Sequence, residues 1–138
     1  MQQTLEFQSP DTLPRSIGFS QIVTVRGGGL IFVSGQVAES AAGTLIGEGD
    51  FRAQVEQAFA NLKTAVEAAG GSMHQLIKLS YFCVDTVDPS DYSAIREVRD
   101  RHVDTARSPA STFLVVRRLA RPAWLIEIEA VAAAGAAS

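Results

Sequence analysis

Hydrophobic residues recur with two different periods along this chain, and each period predicts a kind of element. One stretch repeats large apolar residues every three or four positions: Phe51, Val55, Phe59, Leu62 and Val66. This spacing predicts an amphipathic helix, with Asp50 as its N-cap and Gly70-Gly71 as its stop. Asp88-Pro89, followed by Asp91, predicts the start of a second, more polar helix that runs to about Val103.

The other apolar stretches are rich in β-branched and aromatic residues, which is typical of strands. They cover residues 5–7, 21–26, 30–34, 76–84, 111–116 and 124–132. Gly27-Gly28-Gly29 predicts a hairpin turn, and residues 39–49 are interpreted as a loop or a short edge strand. The order β-β-(β)-α-β-α-β-β predicts an α+β fold, a mixed sheet with both helices on one face. Residues 1–138 form a single predicted domain with a core at about 15–132, and the Ala/Gly/Ser tail from Ala133 is expected to fray.

The last predicted strand carries two carboxylates. A period of two places Glu127 and Glu129 on one face, about 7 Å apart, while Ile126 and Ile128 line the other. Burying an unpaired charge is costly. The face with the carboxylates therefore borders water or a subunit interface, or it lines a site where a carboxylate takes part in chemistry.

Composition and charge narrow the classes of function. The 138 residues carry a formal net charge of -3, which gives no positive field for nucleic acid or for a membrane surface. The longest apolar runs are too short for a bilayer span. One cysteine, Cys83, fits a reducing compartment, so a cytoplasmic location and a buried packing role for Cys83 are expected. His74 and His102 lack ligand spacing, so no metal site is predicted.

Four parts of the chain carry sequence motifs: Gly18-Phe19-Ser20-Gln21, Phe32-Val33-Ser34-Gly35-Gln36, Asn61-Leu62 through Ala68-Ala69-Gly70 with Ile77-Lys78-Leu79, and Pro109-Ala110-Ser111 with Ile126-Glu127-Ile128-Glu129-Ala130. In order and spacing they resemble motifs of the Rid (YjgF) family, some of whose members are called L-PSP endoribonucleases. The resemblance spans roughly residues 15 to 132. It implies a chorismate-mutase-like fold, a homotrimer with small-molecule clefts between neighbouring subunits, and hydrolysis of imines or enamines without a cofactor.

The resemblance also implies roles for individual residues. Glu127 matches a catalytic glutamate that positions water or shuttles protons, and Ser34 and Gly35 match the strand end that lines the cleft. The expected substrate-binding residues are Phe19, Ser34, Gly35, Arg96, Ser111 and Phe113.

At several of these positions the chain departs from the deaminating members of the family. Ser111 stands where they have a substrate-binding arginine, and Phe19 replaces a tyrosine. Phe113 occupies a position that is often cysteine, and Arg96 one that is often asparagine. The cleft is therefore expected to be more apolar and to lack its standard anion anchor.

Two arginines are candidates to replace that anchor. Arg96 could reach the cleft, and Arg107 lies two residues before the Pro109-Ala110-Ser111 motif. The alternative for Arg96, as for Arg99 and Arg101, is a solvated helix face. The alternative for Arg107 is a surface loop or an ion pair between subunits.

Two functions stay open at this point. The retained Ser34-Gly35-Gln36 and Glu127 favour a divergent enamine or imine deaminase. The missing arginine favours a non-catalytic trimer that binds a small molecule or a protein. An endoribonuclease is a distant third, because no acid–base pair suited to RNA cleavage is visible and the charge is unsuited to phosphate binding.

Overall fold

The structure is a computed structural model that describes residues 2–135. Those residues form two α-helices and six strands, joined by loops and short 3-10 turns. The elements in chain order are β1 (Thr4–Gln8), β2 (Ile22–Arg26), β3 (Leu30–Gln36), α1 (Phe51–Ala68), β4 (Leu76–Val84), α2 (Ser93–Asp100), β5 (Ala110–Val116) and β6 (Ile126–Ala133).

The main sheet has four strands in the order β3-β6-β4-β5, and β1 and β2 form a separate antiparallel pair. In the main sheet β4 and β5 run parallel, whereas β6 is antiparallel to both of its neighbours. The predicted α+β class with a mixed sheet is therefore confirmed.

The predicted hairpin at Gly27-Gly28-Gly29 is wrong, because β2 pairs with β1 and β3 pairs with β6. Gly27 and Gly28 adopt φ of 70° and 64°, which redirects the chain from one sheet to the other. The Gln3 side-chain amide fixes this crossing by donating to the carbonyls of Gly27 at 3.1 Å and Gly29 at 2.8 Å.

The first helix follows its sequence signals. The Asp50 carboxylate caps α1 by accepting from the Ala53 N–H at 3.0 Å, and Gly70 follows the last turn at φ 86°. The second helix is shorter than predicted. Asp88 caps a 3-10 turn at Pro89–Asp91, and α2 ends at Asp100 rather than near Val103.

Both helices cover one face of the main sheet. From β6 that face buries Ile126, Ile128, Ala130 and Ala132, as the period of two predicts. Cys83 of β4 is fully buried in the same core, which confirms its packing role. The opposite face, which we call the open face, carries Glu127 and Glu129 and exposes large apolar side chains, of which Phe32 is 75% exposed.

The C-terminal segment is ordered slightly further than predicted. Ala133 belongs to β6 and pairs with Leu30, and the Ala134 N–H donates to the Gly29 carbonyl at 2.9 Å. The rest of the predicted frayed tail, at residues 136–138, lies outside the described residues.

Candidate functional site

A cavity of about 400 Å³ lies where α2, the edge strand β5 and the N-terminal loop meet. We call it the α2–β5 cavity. It contains four of the residues that the sequence assigned to substrate binding, namely Phe19, Arg96, Ser111 and Phe113. Its complete lining is Ile17, Phe19, Tyr81, Tyr92, Ile95, Arg96, Arg99, Ser111 and Phe113.

Two local features assemble this cavity from distant parts of the chain. Ser20 ties the N-terminal loop to the start of β5, because its hydroxyl donates to the Ser108 carbonyl at 2.6 Å and its N–H donates to the Pro109 carbonyl at 3.1 Å. The parallel register pairs Tyr81 of β4 with Phe113 of β5. Both side chains therefore point to the helix-covered side of the sheet, where α2 lies.

Two arginines of α2 line the cavity, the buried Arg99 and the exposed Arg96. Arg99 is only 8% exposed, and its Nε and Nη2 atoms donate to the Asp100 carboxylate at 2.9 and 2.7 Å. Arg96 donates from Nη2 to the Ile17 carbonyl at 3.2 Å. Arg96 lines the cavity but is also exposed, so the alternative of a solvated helix face stays open for it. That alternative is wrong for the buried Arg99.

Gly18 brings the N-terminal loop directly against both guanidinium groups. A Cβ atom at this position would lie 3.0 Å from Nη2 of Arg99 and 3.2 Å from Nη2 of Arg96. Gly18 also has φ +77°, a conformation that other residues rarely adopt. The positive φ favours glycine at the first position of the sequence motif, and the two close guanidinium groups leave little room for a side chain there.

Tyr81 contributes an unusual hydroxyl group to the cavity. The residue is 3% exposed, and within residues 2–135 no group accepts a hydrogen bond from its hydroxyl, which lies beside the Arg99 guanidinium. Burial raises the pKa of this hydroxyl well above its ordinary value, and the nearby Arg99 opposes the shift only in part. Tyr81 is therefore a neutral donor at physiological pH.

The other walls are aromatic and aliphatic. The Phe113 ring centroid lies 4.9 Å from that of Tyr92 and 6.4 Å from that of Tyr81, in tilted arrangements. Ile95 of α2 and Phe19 of the loop complete this surface. The cavity thus combines two arginine side chains with walls suited to an apolar group.

The remaining predicted site residues lie on the open face of the sheet. Between Val33 and Gln36 a bulge places Ser34 and Gly35 opposite Glu129 of β6. The Glu127 side chain packs onto Gly35, where a Cβ atom would come within 2.7 Å of Cδ and 2.8 Å of Cγ. Ser34 lines a separate shallow groove of the same face together with Glu129.

Arg107, the other proposed anchor, has a structural role. Its guanidinium carbon lies 4.8 Å from the centre of the Phe7 ring, and Nη2 donates to the Leu5 carbonyl at 3.2 Å. These contacts hold β1 against the loop before β5. The side chain does not line the α2–β5 cavity.

Neither metal ligands nor membrane-spanning segments emerge from the described residues. Within residues 2–135, no group of three or more His, Cys, Asp or Glu side chains could hold a metal ion. No helix in this part of the chain has the length and apolar character needed to cross a bilayer.

Comparison with known proteins identifies the family. A family described as Endoribonuclease L-PSP matches residues 11–134. A crystal structure from Yersinia pestis, described as a protein of unknown function of the conserved Rid protein family, superimposes with a TM-score of 0.84. The two are 34% identical, and the match covers 94% of this chain and 98% of the other. The chain belongs to the Rid family.

Sequence relatives of this Rid protein match it over most of their length. A RutC family protein of Pyrococcus horikoshii is 32% identical over 123 residues, which cover 88% of this chain and 92% of that protein. A protein of Dermatophagoides farinae named 2-iminobutanoate/2-iminopropanoate deaminase is 31% identical over 119 residues, covering 86% and 88%.

Sequence reasoning missed three polar residues of the Rid pocket. Arg99 carries the signal of an ordinary polar helix, and nothing local indicates that a loop some 80 residues earlier covers it. The sequence indicates Tyr81 only weakly. The alternation in β4 places it among core residues, where a tyrosine hydroxyl needs a hydrogen-bond partner. Tyr92 gives no signal beyond its position just before α2.

Proposed function

We propose that this Rid protein hydrolyses a small imine or enamine, with Glu127 handling the attacking water. The observation that carries the proposal is the position of the Glu127 side chain. Its carboxylate packs onto a glycine in a strand bulge, on the open face of the main sheet. Bulges of this kind commonly re-aim a side chain next to an active site. The relative named as an imine deaminase supports the same chemistry.

The proposed site is formed by two copies of the chain. Glu127 lies on the open face, whereas the α2–β5 cavity lies on the helix-covered side of the same sheet. One copy therefore cannot direct both groups at one substrate. The open face exposes Leu30, Phe32 and Leu114, which are suited to contact with a neighbouring subunit. We propose a homotrimer in which Glu127 of one subunit completes the cavity of the next.

The chemistry requires only groups that such a cleft supplies. Water adds to the carbon of the C=N bond, and Glu127 accepts a proton from the water as the C–O bond forms. The same carboxyl group then returns the proton to nitrogen. Glu127 next carries the proton of the new hydroxyl group to the same nitrogen, so that the C–N bond breaks and ammonia leaves as the carbonyl product forms. No electrons are exchanged with an external acceptor, so the step is a hydrolysis.

The test is turnover by wild type and a matched pair of variants. Imines of aliphatic, aromatic and charged amino acids are generated in situ with amino-acid oxidase, and their disappearance is followed by competition with semicarbazide. Glu127→Gln keeps the size of the side chain and removes its basicity. We expect it to lower turnover by about 10²–10⁴-fold, the usual contribution of a general base.

Glu129→Gln is the control, since Glu129 lies two residues away on the same face of β6. It loses the same charge, and we expect near-wild-type turnover. Light scattering on both variants checks that the assembly is retained. Full activity of Glu127→Gln contradicts the proposed role of Glu127. A wild type that hydrolyses none of the imines supports the alternative, a trimer that binds small molecules without catalysis.

The compartment we propose is the cytoplasm. Cys83 is the only cysteine in the sequence and is fully buried. A single unpaired thiol is typical of proteins in a reducing environment.

A further inference from the structure

We infer that the α2–β5 cavity binds a carboxylate monoanion attached to an aryl-sized apolar group, with Arg99 and Arg96 as the anion anchor and the Tyr81 hydroxyl as an additional donor. The anchor is then supplied by α2 instead of by the Ser111 position. The inference makes two claims. The claim about substrates rests on the proposed function, and it specifies imines of 2-oxo acids with aromatic side chains. The claim that the cavity binds aryl carboxylates does not depend on turnover.

The charge balance of the cavity argues for a single negative charge. Two guanidinium groups meet at Gly18, and Asp100 neutralises one of them. In the described part of the chain Arg96 has only the neutral Ile17 carbonyl as a hydrogen-bond partner. One positive charge is left over, on the exposed Arg96 at the side of a nine-tenths buried arginine. A carboxylate balances it and can accept paired hydrogen bonds from a guanidinium fork.

The Tyr81 hydroxyl supplies an independent indication of a ligand. Buried polar groups are nearly always hydrogen-bonded, and an exception calls for an explanation. This hydroxyl is buried at the cavity wall, and no described residue accepts from it. Burial keeps it protonated and so able to donate. A carboxylate oxygen bound beside Arg99 would satisfy this hydroxyl.

The size and the walls of the cavity specify the other end of the ligand. Phe19, Tyr92, Ile95 and Phe113 form a largely apolar surface around about 400 Å³, which lies within the range of small-molecule sites. A short aliphatic acid would leave most of that surface in water. A phenyl group can bury it and can meet the tilted rings of Tyr92 and Phe113 edge to face.

The experiment measures binding of acids that cannot be hydrolysed, on the intact protein, by isothermal titration calorimetry. The ligands are phenylacetate, its neutral isostere phenylacetamide, and acetate. We expect phenylacetate to bind at least about tenfold more tightly than either of the others, since each lacks one of the two recognised features. Equal affinity for phenylacetamide and phenylacetate would overturn the anchor, and equal affinity for acetate would overturn the aryl site.

Three variants assign the residues. Tyr81→Phe removes only the unpartnered hydroxyl, so we expect a higher Tm for the free protein together with phenylacetate binding weakened by about tenfold. A hydroxyl with a purely structural role would lower the Tm and leave affinity unchanged, which would overturn its assignment. Arg99→Gln is expected to lose binding. Arg101→Gln, which removes an exposed arginine paired with Glu56, is the control and should bind normally.

The outcomes separate this inference from the proposed function. Phenylacetate binding that depends on Tyr81 and Arg99, in a protein that hydrolyses no imine, supports the site and refutes the deaminase. Turnover of small imines without binding of aryl acids refutes the site alone. If both hold, phenylpyruvate imine should be turned over faster than the imine of pyruvate, and Tyr81→Phe should lower kcat/KM for both, because both carry the carboxylate.

Discussion

Substitution of Gly35 by alanine tests how closely the position of Glu127 is fixed. An added Cβ atom would lie 2.7 Å from Cδ of Glu127, whereas ordinary van der Waals contact begins at 3.4 Å. The carboxyl carbon must therefore move by at least about 0.7 Å. The Gly35 backbone is not in the left-handed region, and the atoms that must move end a flexible side chain, so we expect little change in stability.

Activity should respond far more strongly than stability. A displacement of about 1 Å at a catalytic group can cost roughly 10²-fold in rate, so we expect Gly35→Ala to lose about 10- to 100-fold in kcat. The assay is imine turnover, with Tm measured in parallel. Gly29→Ala is the matched control, because its Cβ atom would meet only Ala134 at a comfortable 3.6 Å. The reasoning is refuted if Gly35→Ala retains full kcat, or if it still lowers residual activity in a Glu127→Gln background.

Three further predictions concern the core. Gln54→Leu should destabilise the fold by about 3 kcal/mol in urea titrations, because buried Gln54 bonds the backbone of Gly47, Ala123 and Leu125; an unchanged midpoint would refute this. Burial and Lys63 lower the pKa of His102, so the neutral form favours folding and stability should fall as pH drops below about 6.5. His102→Phe, which keeps the stacking on a core ring, should flatten that fall between pH 7.5 and 5.5; an identical profile would contradict it. Burial raises the pKa of Cys83 to about 11, so iodoacetamide at pH 8 should modify the native protein far more slowly than the unfolded chain, and equal rates would count against the packing.

Elements defined by local signals were predicted well. The bounds of α1 follow from its apolar period, the Asp50 cap and Gly70, all of which act within one or two turns. The pairing of β2 was predicted wrongly, because strand partners are chosen by non-local contacts. Here Gln3, 24 residues earlier, fixes the carbonyl of Gly27 and so helps to hold the crossing between sheets.

The site shows the same division between local and non-local information. The family motifs predicted Phe19, Ser111 and Phe113 as substrate-binding residues, and the structure places all three in the lining of one cavity. Arg99 was missed because its burial depends on the loop at Gly18, which lies far away in sequence. No period or motif encodes that contact. The separation of Glu127 from the cavity likewise depends on sheet register, which fixes the face to which each side chain points.

The most direct test of a site shared between two copies is subunit complementation. Glu127→Gln and Arg99→Gln are each expected to be inactive alone, and the two chains are mixed one to one by co-refolding before imine turnover is measured. If each site combines a cavity from one copy with Glu127 from its neighbour, half of the cavities are intact and half of those meet an intact glutamate. Random assembly should then restore about a quarter of wild-type activity. Activity that stays at the level of the separate variants would contradict the account.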